Sequence, residues 1–275
     1  MQGWRIVALP VALAVISGSA FFCRQLPAQE AAPPCGGGEV ARSAVERVID
    51  GRTFTLADGR EVRLAGVEVP SAAEGPDGTV AKRALEALAG SNEVALRGAE
   101  IPTDRYGRIV AYAYTLRDGD ELFVQGELVA AGAARVGVRI GSRACAAALL
   151  RREAEARTAK YGLWADPAYG TLDAAAPAAV LGQRGRFAVV EGTVFSVRTS
   201  GSTIYVNFAR RWTEGFAVTV RKRSERDFAA AGVDLASLAG RRVRVRGFVE
   251  SRDIAESRPS IAIAHPEQIE IVSGN

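Results

Sequence analysis

The 275 residues of the chain are 48% hydrophobic and 24% charged, a composition typical of ordinary globular proteins. The formal net charge of +4 permits an anionic partner without requiring one, so charge alone identifies no binding function. Arginine greatly outnumbers lysine, but a GC-rich genome gives the same bias, and the arginine count therefore does not indicate nucleic-acid binding. The length is sufficient for two modest domains preceded by an export segment.

The N-terminus has the pattern of an export signal. Arg5 precedes an uncharged apolar run over 6–22, and Ala28 supplies a small residue where cleavage is expected. We therefore predict a signal peptide over 1–28 and an extracytoplasmic protein, either periplasmic or secreted. The apolar run is about as long as the shortest membrane-spanning helices, so an uncleaved membrane anchor is the alternative. Contact with a membrane is expected only in that case.

The cysteines follow from this export prediction. A flexible Pro/Gly-rich linker is predicted over 29–38. Once the signal peptide is removed, the remaining cysteines are Cys35 and Cys145. An even pair in an exported protein predicts a disulfide, and two free thiols are the alternative.

The region 39–170 is predicted to be the first domain. Asp58 and Gly59 have the pattern of a hairpin turn, Gly132 is expected to end a helix, and Ser142 is expected to cap the next one. The predicted strands are 40–50, 53–57, 61–67, 92–97 and 108–116, and the predicted helices are 79–88, 121–131 and 142–160. Short strands with a few helices packed at the ends predict a five-stranded Greek-key barrel of the OB type.

A second β-rich domain is predicted over 186–275, after an alanine-rich linker at 171–185. The predicted order is three strands, a short helix and further strands, which is the order of an OB-like barrel. Its elements are strands at 187–197, 203–208, 216–221, 243–250 and 268–272, and a helix at 225–231. The predicted fold class is therefore β-rich α+β, with two barrels of OB type.

Five short motifs lie in order within the first domain. Their sequences are VIDGRT, VRLAGVEVP, TDRYGR, LVAAG and GLW, at 48–53, 62–70, 103–108, 128–132 and 162–164. Together they resemble the thermonuclease (staphylococcal nuclease-like) family over residues 40–166. The resemblance implies an OB-fold barrel and a nuclease that hydrolyses DNA or RNA.

The resemblance also implies phosphate-binding residues. Arg63 and Arg108 match the two catalytic arginines that bind the scissile phosphate in that family, and guanidinium forks suit this task because they stabilise charge on phosphorus. Arg52, Arg105 and Tyr106 are further candidates for phosphate contact. The alternative is structural: Arg63 and Arg108 would pair with carboxylates of Glu68 and Asp104 and hold strands together.

The family's calcium site is matched only in part. The resemblance implies Ca²⁺ held by carboxylates, for which Asp50 and Glu68 are the candidates. Arg52 replaces a second liganding aspartate, and Ser71 replaces the catalytic glutamate. We therefore expect impaired calcium binding and catalysis, unless a carboxylate from Glu74 or Asp77 compensates. Two apolar residues, Val138 and Ile140, stand near the places of the family's base-stacking tyrosines.

The second domain offers a possible basic stripe. Arg242, Arg244 and Arg246 alternate with valines, which places the arginines on one face of a strand. Such a stripe would follow a phosphate backbone, with Tyr205, Phe208 or Trp212 as stacking rings, and a solvated strand face is the alternative. His265, followed by proline, is predicted to be a turn residue.

Three functions remain open from the sequence. The first is binding of DNA, RNA or another polyanion by a domain with an impaired catalytic site. The second is an active metal-dependent phosphodiesterase with a rearranged site. The third is a non-catalytic scaffold of the cell envelope. No obligatory protein partner is implied.

Overall fold

A computed structural model describes residues 35–70, 76–117, 120–251 and 258–272. The segment predicted as a signal peptide lies outside these residues, so export and cleavage stay predictions. Among the described helices, none is long and apolar enough to cross a membrane.

The first barrel closes through a parallel pair of strands. The strand order is β3-β2-β1-β5-β6-β7, and β3 also pairs in parallel with β6, as expected for an OB fold. A short ladder joins β4 and β8. The elements are β1 (Glu39–Asp50), β2 (Thr53–Leu56), β3 (Glu61–Leu64), β4 (Val67–Glu68), α1 (Pro76–Ala89), β5 (Glu93–Thr103), β6 (Ile109–Arg117), β7 (Asp120–Phe123), α2 (Val124–Ala130), β8 (Arg135–Val136) and α3 (Arg143–Thr158).

Helix α1 packs against the turn between β1 and β2. Its buried residues include Ala81, Leu85 and Ala89, which follow one another at intervals of four and so share one face. A side chain at Gly51 would place its Cβ 2.5 Å from that of Ala81. Glycine therefore allows the helix to lie directly on the backbone that presents Arg52.

The predicted helix at 121–131 is wrong in its first part. Asp120–Phe123 is strand β7, paired antiparallel with β6, and only Val124–Ala130 is helical. The Phe123 ring stacks on Tyr114 with the centroids 5.0 Å apart, so tertiary packing on the sheet edge decides the conformation. The helix ends before Gly132, whose φ is +67°, as predicted.

The long helix α3 begins as predicted, and the two cysteines are joined. Ser142 is the N-cap, and its hydroxyl accepts a hydrogen bond from the Cys145 N–H at 3.1 Å. Cys35 and Cys145 form a buried disulfide. Residues 35–38, predicted to be part of a flexible linker, instead lie against β5, where the Gly37 N–H donates to the Gly98 carbonyl at 2.9 Å.

The second barrel has the same strand pairing as the first. One nearly continuous segment forms β10 and β11, which pair with β14 and β12, and β13 pairs in parallel with β15. The order is therefore that of a second OB-like barrel. Its elements are β9 (Thr171–Asp173), α4 (Pro177–Leu181), β10 (Phe187–Thr193), β11 (Ser196–Ser200), β12 (Thr203–Asn207), β13 (Ala217–Arg221), α5 (Glu225–Ala230), β14 (Arg242–Ser251), β15 (Pro259–Ile263) and β16 (Ile269–Ile271).

The segment 171–185 between the two barrels contains regular structure. Strand β9 pairs in parallel with β10, and α4 buries Val180. The domain boundaries themselves stay a prediction. His265 precedes a single 3-10 turn, Pro266–Gln268, which agrees with its predicted place in a turn.

The arginines of the basic stripe in the second barrel are paired with carboxylates, and of the three only Arg242 is largely exposed. Val243 and Val245 are buried in the core, as the alternation predicted. The Arg242 and Arg244 guanidiniums both bind Glu191, at 2.7 and 2.6 Å. Arg246 is fully buried. A fully solvated strand face is therefore wrong for Arg244 and Arg246, which are paired with carboxylates of neighbouring elements, and holds in part for Arg242. Contact of the stripe with a phosphate backbone stays a prediction.

Candidate phosphate-binding site

The turn between β1 and β2 sets one side of the site. The Asp50 carboxylate accepts a hydrogen bond from the Arg52 N–H at 2.8 Å and so fixes the turn. Thr53 then pairs with Arg63 across β2 and β3, and the Leu64 N–H donates to the Arg52 carbonyl at 2.8 Å. The backbone therefore brings the Arg52 and Arg63 side chains to the same end of the barrel.

Glu68 lies between these two arginines. The Arg52 guanidinium donates a hydrogen bond to its Oε2, and the Arg63 guanidinium lies 3.8 Å from its Oε1. The Glu68 side chain is 14% exposed, and those of Arg52 and Arg63 are 23% and 29% exposed. Each oxygen of the carboxylate therefore faces a guanidinium in a partly shielded position.

Arg63 is partly buried among two other arginines and two carboxylates. Burial, followed by the charges of Arg52 and Arg108, lowers the pKa of its guanidinium, while Glu68 and Asp104 act in the opposite direction. Among the described residues, the Arg63 guanidinium makes no hydrogen bond. Its donors therefore remain available to an anion.

A second group of predicted residues lies in the turn before β6. The Asp104 carboxylate accepts hydrogen bonds from the Tyr106 N–H at 2.9 Å and from Arg108 Nε at 2.8 Å. Burial opposes ionisation of Asp104, but the bonds from Arg108 and from the turn backbone outweigh it and lower its pKa. Gly107 completes the turn at a φ of +78°.

Tyr106 and Arg105 lie on the outside of this turn. The Tyr106 side chain is exposed, and the guanidinium carbons of Arg105 and Arg108 lie 4.7 and 5.1 Å from its ring centroid. Arg105 also donates to the Tyr106 hydroxyl at 2.5 Å. Arg108 is therefore engaged by both Asp104 and Tyr106, in contrast to Arg63.

A cleft of about 310 Å³ opens beside Arg63, Glu68 and Asp104. Glu100 and Arg139 are exposed and also line the cleft, and neither was predicted from the sequence. Arg139 stands between Val138 and Ile140, so an exposed cation between two apolar residues was the signal that pointed to it. The cleft wall carries three carboxylates and two guanidiniums. An anion is therefore expected beside Arg63, at the edge of the cleft, and not deep within the cleft.

The carboxylates do not fit a calcium ion as they stand. One oxygen of Asp50 accepts the Arg52 N–H, and both oxygens of Glu68 face guanidiniums. Asp77 lies in the first turn of α1, and the described residues contain no cluster of three or more acidic, cysteine or histidine ligands. Calcium prefers several free oxygen ligands. Ser71 and Glu74 lie outside the described residues.

The family of this domain is indicated by its strand pairing, by the positions of Arg63 and Arg108, and by the turn at Gly107. Residues 61–166 match the staphylococcal nuclease homologue family. The chain therefore carries a staphylococcal nuclease homologue domain, which confirms the resemblance and the OB fold expected from it. The match includes Arg63, Glu68, Asp104 and Arg108 and begins after Arg52. No curated protein matches the chain.

Proposed function

We propose that the staphylococcal nuclease homologue domain binds the phosphates of nucleic acid, or of another polyanion, at the edge formed by Arg52, Arg63 and Arg108. The observation that carries the proposal is the contact of Glu68 with Arg52 and Arg63. A carboxylate neutralised in this way is a poor metal ligand, whereas the Arg63 donors that it leaves unused suit a phosphate oxygen.

The charge at position 52 supports binding in preference to calcium-dependent hydrolysis. An arginine where the family has an aspartate changes the local charge by two units. Two unit charges ~4 Å apart have an interaction energy of about 4 kcal/mol at an effective dielectric near 20. Such a change disfavours a divalent cation and favours an anion at the same place.

The experiment is a titration of labelled single-stranded DNA and RNA in chelator, followed by fluorescence anisotropy at several salt concentrations. We expect Arg63→Ala to weaken binding and to reduce the salt slope by about one phosphate contact. The matched control is Arg60→Ala, because Arg60 is exposed and pairs locally with Asp58. Binding that is insensitive to both salt and Arg63→Ala would contradict the proposal and favour an envelope scaffold.

The second candidate function is metal-dependent phosphodiester hydrolysis. It is favoured by the half-buried position of Arg63 beside a cleft that also contains Glu68, Glu100 and Asp104. Incubation of single-stranded DNA with calcium, other divalent ions or chelator separates the two candidates. Cleavage that needs a metal and disappears in Arg63→Ala would establish the hydrolase. DNA that stays intact with every ion would leave phosphate binding as the remaining candidate function.

The proposed location is outside the cytoplasm, in the periplasm or secreted. It rests on the apolar segment at 6–22 and on the buried Cys35–Cys145 disulfide, since disulfides persist in oxidising compartments. Fractionation of cells that produce the full chain, with N-terminal sequencing of the product, tests it. A product that keeps Met1 in the cytoplasm would refute it, and one that keeps the segment in the membrane would identify an anchor.

A further inference from the structure

The second barrel has a groove on the outer face of its sheet, on the side away from the core. Ile204 and Val206 of β12 and Val218 of β13 point into the core. The alternate residues Tyr205 and Thr219 are paired across the two strands and line the groove. The groove has a volume of about 380 Å³, within the range of small-ligand sites.

Two arginines and two aromatic rings line this groove, and the part of the lining that the structure describes contains no carboxylate. Arg198 of β11 pairs with Tyr205 across the ladder and is exposed. Among the described residues, Arg198 makes no ion pair. The remaining polar groups come from hydroxyl and amide side chains, including Asn207. The groove therefore favours an anion that also carries a flat ring.

Trp212 is the more exposed of the two aromatic rings that line the groove, and the Arg258 guanidinium packs against it. The Trp212 side chain is 54% exposed. The Arg258 guanidinium lies 5.6 Å from its centroid, donates to Asn207 Oδ1 at 2.7 Å and donates to the Gly215 carbonyl at 3.2 Å. Arg258 thus acts as a positioning residue, with cation–π attraction orienting the indole. Phe208, predicted as a stacking ring, instead packs against Phe216.

We propose that this groove binds single-stranded nucleic acid, with one base stacked on Trp212 and a phosphate at Arg198. Stacking on an exposed ring needs a base with an open face, which a single strand offers and a duplex does not. The proposal goes beyond the proposed function and does not rest on it, because different side chains of a different barrel carry it.

Tryptophan fluorescence of the full chain tests the proposal. The chain carries Trp4→Phe, so that Trp164 and Trp212 are its tryptophans. A short oligothymidylate is added in chelator, and we expect quenching because Trp212 is exposed whereas Trp164 is buried. The quenching should disappear in Trp212→Phe, which keeps an aromatic ring in the groove. Trp212→Ala should weaken binding by about 5- to 150-fold. Arg198→Ala should lower the salt slope by about one phosphate contact.

The matched control is Phe195→Ala, an exposed ring of the same barrel outside the groove. Phe195→Ala should leave the affinity for the oligothymidylate unchanged. A duplex of the same length should not quench the tryptophan fluorescence of the wild type. The proposal would be overturned by any of three results. The wild type is not quenched, quenching persists in Trp212→Phe, or a duplex quenches as strongly as the single strand.

A variant with Arg63→Ala and Arg108→Ala separates this proposal from the proposed function. Quenching that survives in it shows that the groove binds the strand by itself, whatever the first barrel does. Quenching that disappears with those two arginines shows that only the first barrel binds, and the groove proposal then fails while the proposed function stands.

Discussion

Arg246 of β14 forms a fully buried ion pair with Glu153 of α3, with a closest N–O distance of 2.8 Å. The same guanidinium donates to the Val136 carbonyl at 3.2 Å, and Glu153 accepts the Val136 N–H at 2.7 Å. Val136 in turn pairs with Val67, the neighbour of Glu68. A side chain of the second barrel thus stabilises the short ladder that carries the carboxylate of the candidate site.

Removal of the Arg246 charge should destabilise the whole protein. Arg246→Met leaves the buried Glu153 with Arg157, 3.5 Å away, as its remaining charged partner. Breaking a buried pair typically lowers the free energy of unfolding by about 3–5 kcal/mol. Equilibrium unfolding in urea, followed by circular dichroism, measures the change. The control Arg242→Met removes a guanidinium that is 54% exposed and should cost less than about 1 kcal/mol.

A double variant checks that the loss comes from the unpaired charge. Arg246→Met with Glu153→Gln removes both charges and keeps an oxygen that can accept the Val136 N–H. Its stability should lie above that of Arg246→Met alone. Equal stability of the single and double variants would attribute the effect to packing instead.

The disulfide should contribute substantially to stability because it closes a long loop. Cys35 and Cys145 are 110 residues apart, and the chain-entropy model then gives a contribution of up to about 5 kcal/mol. We expect the variant with both cysteines changed to serine to unfold at a lower urea concentration. Reductant should lower the midpoint of the wild type toward that of the variant and leave the variant unchanged. Equal midpoints in all conditions would contradict the prediction.

The Asp104–Arg108 pair predicts a dependence of stability on acidity. The pKa of Asp104 is lowered in the folded protein, so its ionised form stabilises the fold at pH values above the unfolded pKa of about 3.9. That contribution is lost as the pH falls through the lower folded pKa. Thermal unfolding of wild type and Asp104→Asn should therefore differ most near neutral pH and converge in acid. A constant difference across the acid range would exclude this linkage.

The barrel could be predicted from the sequence more completely than the site. Period-two patterns and the turn at Asp58 and Gly59 are local, and they fixed most strands of the first barrel. The partners of Arg246 come from 93 and 24 residues away, and no local pattern contains them. The position of Arg139 between two apolar residues is a local signal, but its place in the cleft depends on the fold. Long-range charge pairing therefore decided which arginines of the chain remain available to a ligand.

The strongest test of the candidate site is to restore an acidic residue at position 52. In Arg52→Asp, the guanidinium that binds Glu68 is replaced by a carboxylate next to Asp50, so three acidic side chains would share one end of the barrel. We expect calcium to raise the melting temperature of this variant by the linkage between binding and stability. The wild type should show little or no calcium-dependent shift.

The control is Arg60→Asp, which makes the same change of charge at an exposed position in the β2–β3 turn. It should respond to calcium like the wild type, because a change of overall charge alone does not build a set of oxygen ligands. Arg52→Asp should also lose affinity for single-stranded DNA in chelator, since one of the three phosphate-edge guanidiniums is gone. A wild type that already binds calcium as tightly as Arg52→Asp would show that Arg52 does not block the metal, and the binding-only interpretation of the domain would then be wrong.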